Sequence, residues 1–172
     1  MSTPLEWSHG FARQAYADFQ TWQILANMRN IPECHKLLFL QMACEKLCKA
    51  HLMATGTDPA IVQTSHGYVA KPLPEIIKHE LALAGKKASS QTGLVTSARH
   101  FANEIEALHP SIDRGCQRPD NCEYPWDDDQ QVLRSPLDWT FAPSRLAEMP
   151  FGRQIVKLIW QAILRLLPEQ ED

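Results

Sequence analysis

The stretch from Cys34 to Leu52 reads CHKLLFLQMACEKLCKAHL, and a short linker joins it to Ser65-His66-Gly67-Tyr68. Its apolar residues recur at steps of three and four, whereas Glu45, Lys46 and Lys49 fall on another face. This spacing is typical of an amphipathic helix that packs one side against a protein core. The apolar face comprises Leu37, Leu40, Cys44, Leu47, Cys48, His51 and Leu52.

Further helical patterns flank this central segment. The spacing predicts a first helix over about 5–28, a short helix over about 74–83 and another over 92–108. Pro32 and Glu33 suit the first turn of the central helix, since proline loses no hydrogen bond there and an acidic side chain favours the positive helix end. Gly56 is predicted to end that helix in the left-handed conformation. A last helix is predicted from Leu146 and Met149 to Leu167.

Residues 111–141 carry acidic and aromatic side chains but little helical periodicity. We expect Tyr124, Trp126 and Trp139 to anchor this insert against the helices, and a small hairpin around Val132-Leu133. The predicted fold is therefore all-α: an antiparallel bundle of about five helices with a long irregular insert before the last helix. All 172 residues are assigned to one domain, which the chain length favours.

The composition restricts the functional classes. The formal net charge is −3, so any nucleic-acid binding must come from a local basic patch or from an assembled dimer. No apolar run is long enough to span a bilayer, and charged residues lie where a signal peptide would need an apolar block. We therefore expect a cytoplasmic protein that does not bind a membrane. The five cysteines are an odd number and are expected to be reduced.

The order of residues from His35 to Tyr68 resembles the central helix of HEPN domains. The resemblance rests on an aromatic residue, a glutamine, small residues, Glu45-Lys46, Lys49-Ala50 and a loop ending in Ser65-His66. It covers roughly the first hundred residues. It implies a homodimer in RNA-directed stress, toxin–antitoxin or antiphage functions, with an RNA substrate and a partner protein such as a nucleotidyltransferase or an antitoxin.

Many HEPN proteins resemble metal-independent ribonucleases that carry an arginine, four to six residues and then a histidine. The segment from Arg29 to His35 meets this spacing, with the polar Asn30 directly after the arginine. Arginine can bind a phosphate through two parallel hydrogen bonds, and histidine can transfer protons near neutral pH. The predicted catalytic residues are thus Arg29 and His35; an ordinary capping or surface role is the alternative.

Asn30, Lys46, Lys49 and His66 are the predicted RNA- or nucleotide-binding residues. His66 matches the Ser/Thr-His of nucleotidyltransferase-associated HEPN proteins, and the two lysines match those of the family's central helix. Each has a simpler explanation: His66 as a loop residue bonded to a helix end, the lysines as a solvated face, and Glu45 with Lys49 as an i,i+4 pair worth a few tenths of a kcal/mol.

We predict no metal and no cofactor. A zinc site from Cys44, Cys48 and His51 with Cys116 and Cys122 is disfavoured, because no Cys-x-x-Cys pair is present. The run Asp127-Asp128-Asp129 lacks the spacing of a calcium loop and is interpreted as a solvated turn. The competing functional class is a non-enzymatic dimeric interaction module that binds a partner protein or a nucleotide.

Overall fold

Helices make up most of this protein. The computed structural model describes residues 2–112 and 120–169. Those ranges contain seven α-helices and one two-stranded antiparallel sheet, so the expected all-α class is confirmed. In chain order the elements are α1 (Pro4–Ala26), α2 (Glu33–Ala54), α3 (Pro59–Gln63), α4 (Pro72–Leu83), α5 (Thr92–Ala107), β1 (Trp126–Asp127), β2 (Leu133–Arg134), α6 (Ala142–Glu148) and α7 (Pro150–Leu166). Short 3-10 helices, Ala88–Gln91 and Pro136–Asp138, precede α5 and α6.

Capping residues mark the ends of the two long N-terminal helices. Thr3 and Glu6 form a reciprocal capping box at the start of α1. Pro32 precedes α2, and Gly56 follows it with φ of +88°, as the sequence predicted for a left-handed cap. The chain turns between the two helices over residues 27–32, and α1 and α2 then pack along each other as a helical hairpin.

The central helix α2 lies at the core of the fold. It contacts α1, α4, α5 and α7. Five residues of its predicted apolar face are buried in the core, whereas His51 and Leu52 near its C-terminal end are half-buried. Cys44 and Cys48 are fully buried within it as free thiols. The largest fully buried side chains come from four helices and the insert: Phe19, Phe101, Phe141, Leu37, Leu40, Leu47, Met53, Leu73, Ile77, Leu81, Leu94 and Ile105.

The insert contains the predicted hairpin, in which Trp126 pairs with Arg134 and Asp127 with Leu133. Trp126 is buried and its ring meets Trp139 edge to face at 5.4 Å, so these two anchors are confirmed. Tyr124 is 59% exposed, so its prediction as an anchor is wrong. Its backbone instead joins a turn in which the N–H groups of residues 123 and 124 donate to the Asn121 side chain.

The predicted last helix is divided in two. α6 ends at Glu148 and α7 begins at Pro150, with Met149 extended between them at ψ of 155°. A residue before proline disfavours the helical conformation, which explains the break. Gly152, in the first turn of α7, then packs directly on the backbone of Leu146.

No helix within the described part of the chain is both long enough and apolar enough to span a bilayer.

We predict that Gly152→Ala lowers the free energy of unfolding by about 2–3 kcal/mol, the cost of forcing an extra methyl group into a filled site. Its Cβ would overlap the carbonyl oxygen of Leu146, a backbone atom that cannot move aside alone. Urea denaturation measures the change. The matched control is Gly10→Ala, where the Cβ meets open space within α1 and about 0.5–1 kcal/mol of stabilisation is expected. Equal effects of the two variants would contradict the packing explanation.

Candidate functional site

The predicted catalytic residues lie at the corner between α1 and α2. Arg29 and Asn30 belong to the connecting turn, and His35 lies in the first turn of α2. All three side chains are exposed, and none has a hydrogen bond or an ion pair within residues 2–112 and 120–169. The neighbouring Cys34 is buried and fixes this end of the helix to the core. The corner therefore presents a guanidinium and an imidazole to solvent.

Lys46 is engaged inside the helical hairpin. Its Nζ lies 2.6 Å from Oδ2 of Asp18, a buried carboxylate on α1. Gln14 donates a second hydrogen bond to the same carboxylate at 3.2 Å. This contact joins α1 to α2, and an RNA phosphate would compete with Asp18 for the ammonium group.

Lys49 forms a buried ion pair with Glu45. The Nζ–Oε1 distance is 2.8 Å, and the two side chains are only 6% and 9% exposed. Gln41 donates to Oε2 of the same carboxylate at 3.0 Å, and the Lys49 ammonium lies 5.9 Å from the centre of the Phe11 ring. The predicted i,i+4 pairing is confirmed, but it lies within the fold instead of on a solvated face.

The loop after α3 brings His66 to this pair. Nδ1 of His66 lies 3.1 Å from Oε1 of Glu45, the oxygen that also binds Lys49. The His66 ring stacks on His109, just beyond the end of α5, with a centroid distance of 4.0 Å and an interplanar angle of 14°. Nδ1 of His109 is 3.1 Å from the backbone nitrogen of Ser111 and 2.7 Å from its Oγ. We call Glu45, Lys49, His66 and His109 the histidine cluster.

A second buried carboxylate holds the loop that carries His66. Oε2 of Glu106, on α5, accepts hydrogen bonds from the backbone N–H groups of Val69 and Ala70, each at 2.8 Å. The loop after His66 is thus attached to α5 independently of the histidine itself.

Electrostatics within the histidine cluster shift two pKa values. Burial raises the pKa of the Glu45 carboxyl, but hydrogen bonds from Lys49 and Gln41 and the charges of Lys49 and His66 outweigh it, so the net pKa is lowered. Burial lowers the pKa of His109, and the adjacent His66 lowers it further. Glu45 is therefore a carboxylate and His109 a neutral imidazole near neutral pH.

Glu45, His66 and His109 are the described residues whose ligand atoms lie close enough to hold a metal ion, all within 4.8 Å of one another. Two observations disfavour that use. Lys49 already occupies the carboxylate oxygen nearest His66, and its positive charge would repel a cation. The parallel rings also direct their nitrogen lone pairs side by side, whereas zinc ligands converge on one tetrahedral centre.

The alternative zinc ligands lie in the core. Burial raises the pKa of the Cys44 thiol to about 12 and that of Cys48 well above its usual value, so both remain protonated. Cys122 is also a buried free thiol, and Cys116 lies outside the described residues.

The acidic run is part of the hairpin turn. The Asp128 carboxylate accepts hydrogen bonds from the backbone N–H groups of Gln130 and Val132, and it forms an ion pair with Arg134.

Sequence reasoning missed His109, Gln41, Asp18 and Glu106. Gln41 precedes Glu45 by four residues, so helical spacing alone could have paired them. The other three contact partners 28 to 43 residues away in the chain, and no local pattern marks such contacts.

Comparison with known proteins gives no family assignment. No protein-family model, no curated protein and no solved structure matches this chain. Functional inference therefore rests on the residues and their geometry.

We predict that Glu45→Leu and Lys49→Met each lower the free energy of unfolding by about 3–5 kcal/mol, because each leaves a buried charge without its partner. The double variant should recover most of that loss. A double-mutant cycle by urea denaturation measures the coupling. The exposed pair Glu75 and Lys78 is the control, with a coupling below about 1 kcal/mol; a similarly small value at Glu45 would contradict the prediction.

The lowered pKa of Glu45 also predicts how stability depends on pH. The contribution of this carboxylate is complete above its ordinary pKa of 4.5, as in the unfolded chain, and is lost as the pH falls through the lower folded value. Between about pH 6 and about pH 3, wild type should therefore lose more stability than the Glu45→Leu/Lys49→Met variant. Parallel urea titrations measure this difference, and superimposable pH profiles would refute it.

Proposed function

We propose that this protein is a HEPN-like helical protein that acts on RNA in stress, toxin–antitoxin or antiphage defence, as a metal-independent endoribonuclease. Arg29 binds the scissile phosphate and His35 transfers protons, with Asn30 as an additional contact. The proposal includes an antiparallel bundle of about five helices, a cytoplasmic homodimer and a partner protein such as a nucleotidyltransferase or an antitoxin.

The availability of the corner residues carries this proposal. Lys46, Lys49 and His66 are bound to carboxylates of the same chain. In contrast, the side chains of Arg29 and His35 are exposed and have no partner among the described residues. An external phosphate reaches these two groups without breaking an existing ion pair. Two parallel hydrogen bonds from a guanidinium to a phosphate are among the stronger polar interactions available to a protein.

Exposed apolar side chains next to the corner favour a dimer there. Ile24, in the last turn of α1, is 60% exposed, and Met28, in the turn that follows the helix, is 44% exposed. A second copy that covers them would place two Arg29–His35 pairs near one another. Two such pairs supply two cations for the phosphate backbone, which the net charge of −3 does not provide.

A groove beside the same corner favours the alternative, a non-enzymatic module. Its volume is about 580 Å³, within the range of small-molecule sites, and it lies between the α1–α2 corner and α6–α7. Trp22, Lys36 and Arg153 line it together with Glu33 and Glu148, so the groove offers an aromatic surface for a nucleobase and two cations beside two carboxyl groups. The buried Oγ of Ser144 also lines it and has no hydrogen-bond partner within the described residues.

We predict that purified protein cleaves labelled total RNA or tRNA in the presence of EDTA, and that His35→Ala lowers the rate by about 10²-fold or more, the usual effect of removing an acid–base group. Arg29→Ala should weaken RNA binding as well as cleavage. The matched controls are Arg99→Ala and His100→Ala, an exposed pair on α5 outside the corner. Gel-resolved cleavage rates and filter binding provide the measurements.

Each outcome of this experiment has a distinct meaning. EDTA-resistant cleavage that is lost in His35→Ala and kept in the controls supports the nuclease. Cleavage that persists in His35→Ala removes His35 from the mechanism. Absence of cleavage at high protein concentration, together with calorimetric binding of a mononucleotide that Arg153→Ala weakens, favours the interaction module.

A further inference from the structure

The hydrogen-bond partners of His66 and His109 determine which ring nitrogen carries the proton in each. The Glu45 carboxylate is ionised and can only accept, so Nδ1 of His66, 3.1 Å away, must be protonated. In the neutral form of the His66 ring, Nε2 then carries the lone pair. A carboxylate that fixes a histidine in this tautomer leaves it oriented as a general base.

His109 has the opposite tautomer. The backbone N–H of Ser111 can only donate, and it points to Nδ1 of His109 at 3.1 Å, so this nitrogen accepts. The proton of neutral His109 is therefore on Nε2. The two stacked rings thus offer one proton acceptor and one hydrogen-bond donor. One nitrogen of the His66 ring lies within 4.8 Å of a nitrogen of the His109 ring.

The loop that carries His66 does not depend on this ring for its attachment to the fold. Glu106 attaches the loop after His66 to α5 through two backbone hydrogen bonds. The Glu45 charge is already balanced by Lys49 and bonded by Gln41. His66 nevertheless remains 45% exposed above this buried pair, so its ring is accessible to a molecule from solution.

We propose that His66 and His109 form a second catalytic pair, in which His66 is the general base and His109 the hydrogen-bond donor for cleavage of a ribonucleotide phosphodiester. This rests on the proposed function for its substrate class, RNA, but assigns the chemistry to the histidine cluster. Glu45 is the positioning residue for His66, and Lys49 keeps Glu45 ionised.

The step is balanced without a metal or a protein nucleophile. Nε2 of His66 takes the proton of the ribose 2′-hydroxyl, and the 2′ oxygen attacks phosphorus. The bond from phosphorus to the 5′ oxygen breaks, water protonates the departing oxygen, and His66 returns its proton to solvent. The products are a 2′,3′-cyclic phosphate and a free 5′-hydroxyl. The Nε2–H of His109 donates to a phosphoryl oxygen, where negative charge increases in the transition state.

The test uses two substrates with the 172-residue protein: single-stranded RNA and uridine 3′-(p-nitrophenyl phosphate), which keeps the 2′-hydroxyl but is too small to require the corner for binding. His66→Gln should lower kcat/KM by about 10²-fold or more on both substrates, and His109→Gln by about 10²-fold. His79→Gln is the control, because this histidine is exposed on α4. Circular dichroism and urea titration verify that the variants are folded.

The outcomes separate this inference from the proposed function. Loss of both activities in His66→Gln and His109→Gln, but not in His79→Gln, supports the pair. RNA cleavage that His66→Gln leaves within about threefold of wild type overturns the pair, while the nuclease proposal then stands or falls with His35→Ala. Cleavage of the nitrophenyl ester alone supports the pair and overturns RNA as the target. Absence of both activities overturns both proposals.

Nitrogen NMR of the imidazole rings tests the tautomers without any substrate. We expect Nδ1–H for His66 and Nε2–H for His109 near neutral pH, and reversed tautomers would overturn the pair. In Glu45→Leu/Lys49→Met, His66 should lose its preference for Nδ1–H and kcat should fall while KM changes little. An unchanged His66 tautomer in that variant would remove Glu45 as the positioning residue.

Discussion

The structure depends on an ion pair that is buried on one side of α2, the central helix of the fold. Glu45 and Lys49 lie on α2, which contacts α1, α4, α5 and α7, and both side chains are almost fully buried. Two charges in this position are tolerated because each satisfies the other and because Gln41 and the Phe11 ring complete their surroundings. The same carboxylate receives His66, so the core and the candidate chemistry share one side chain.

This arrangement separates the polar residues of the protein into two groups. Lys46, Lys49 and His66 have intramolecular partners, whereas Arg29 and His35 face solvent. His35 represents the corner and Glu45 the histidine cluster on α2. Ten residues separate these two positions, so they are about 15 Å apart along the helix axis at a rise of about 1.5 Å per residue. A single mononucleotide cannot span that distance, but an extended RNA strand of two or three nucleotides can, so corner and cluster are compatible as subsites of one substrate.

The long helices were predictable because their signals are local. Apolar periodicity, the proline before α2 and Gly56 after it act within a few residues, and the structure places these ends within two residues of the predictions. Tyr124 and the division of the last helix were not predicted correctly. Tyr124 lies in an irregular segment, where no periodic pattern indicates whether an aromatic side chain is buried. The apolar pattern continues across Met149 and Pro150, so it predicts one helix although a residue before proline disfavours the helical conformation.

By itself, the sequence determined the helical class, the two long N-terminal helices, most of the buried face of α2 and the pairing of Glu45 with Lys49. These follow from helical spacing, which relates residues three or four positions apart. Only the tertiary structure decided that this pair is buried, that Lys46 binds Asp18 and that His109 stacks on His66. These contacts join α1, α2, the loop after α3 and the end of α5, and their partners meet because the shared apolar core brings separate helices together.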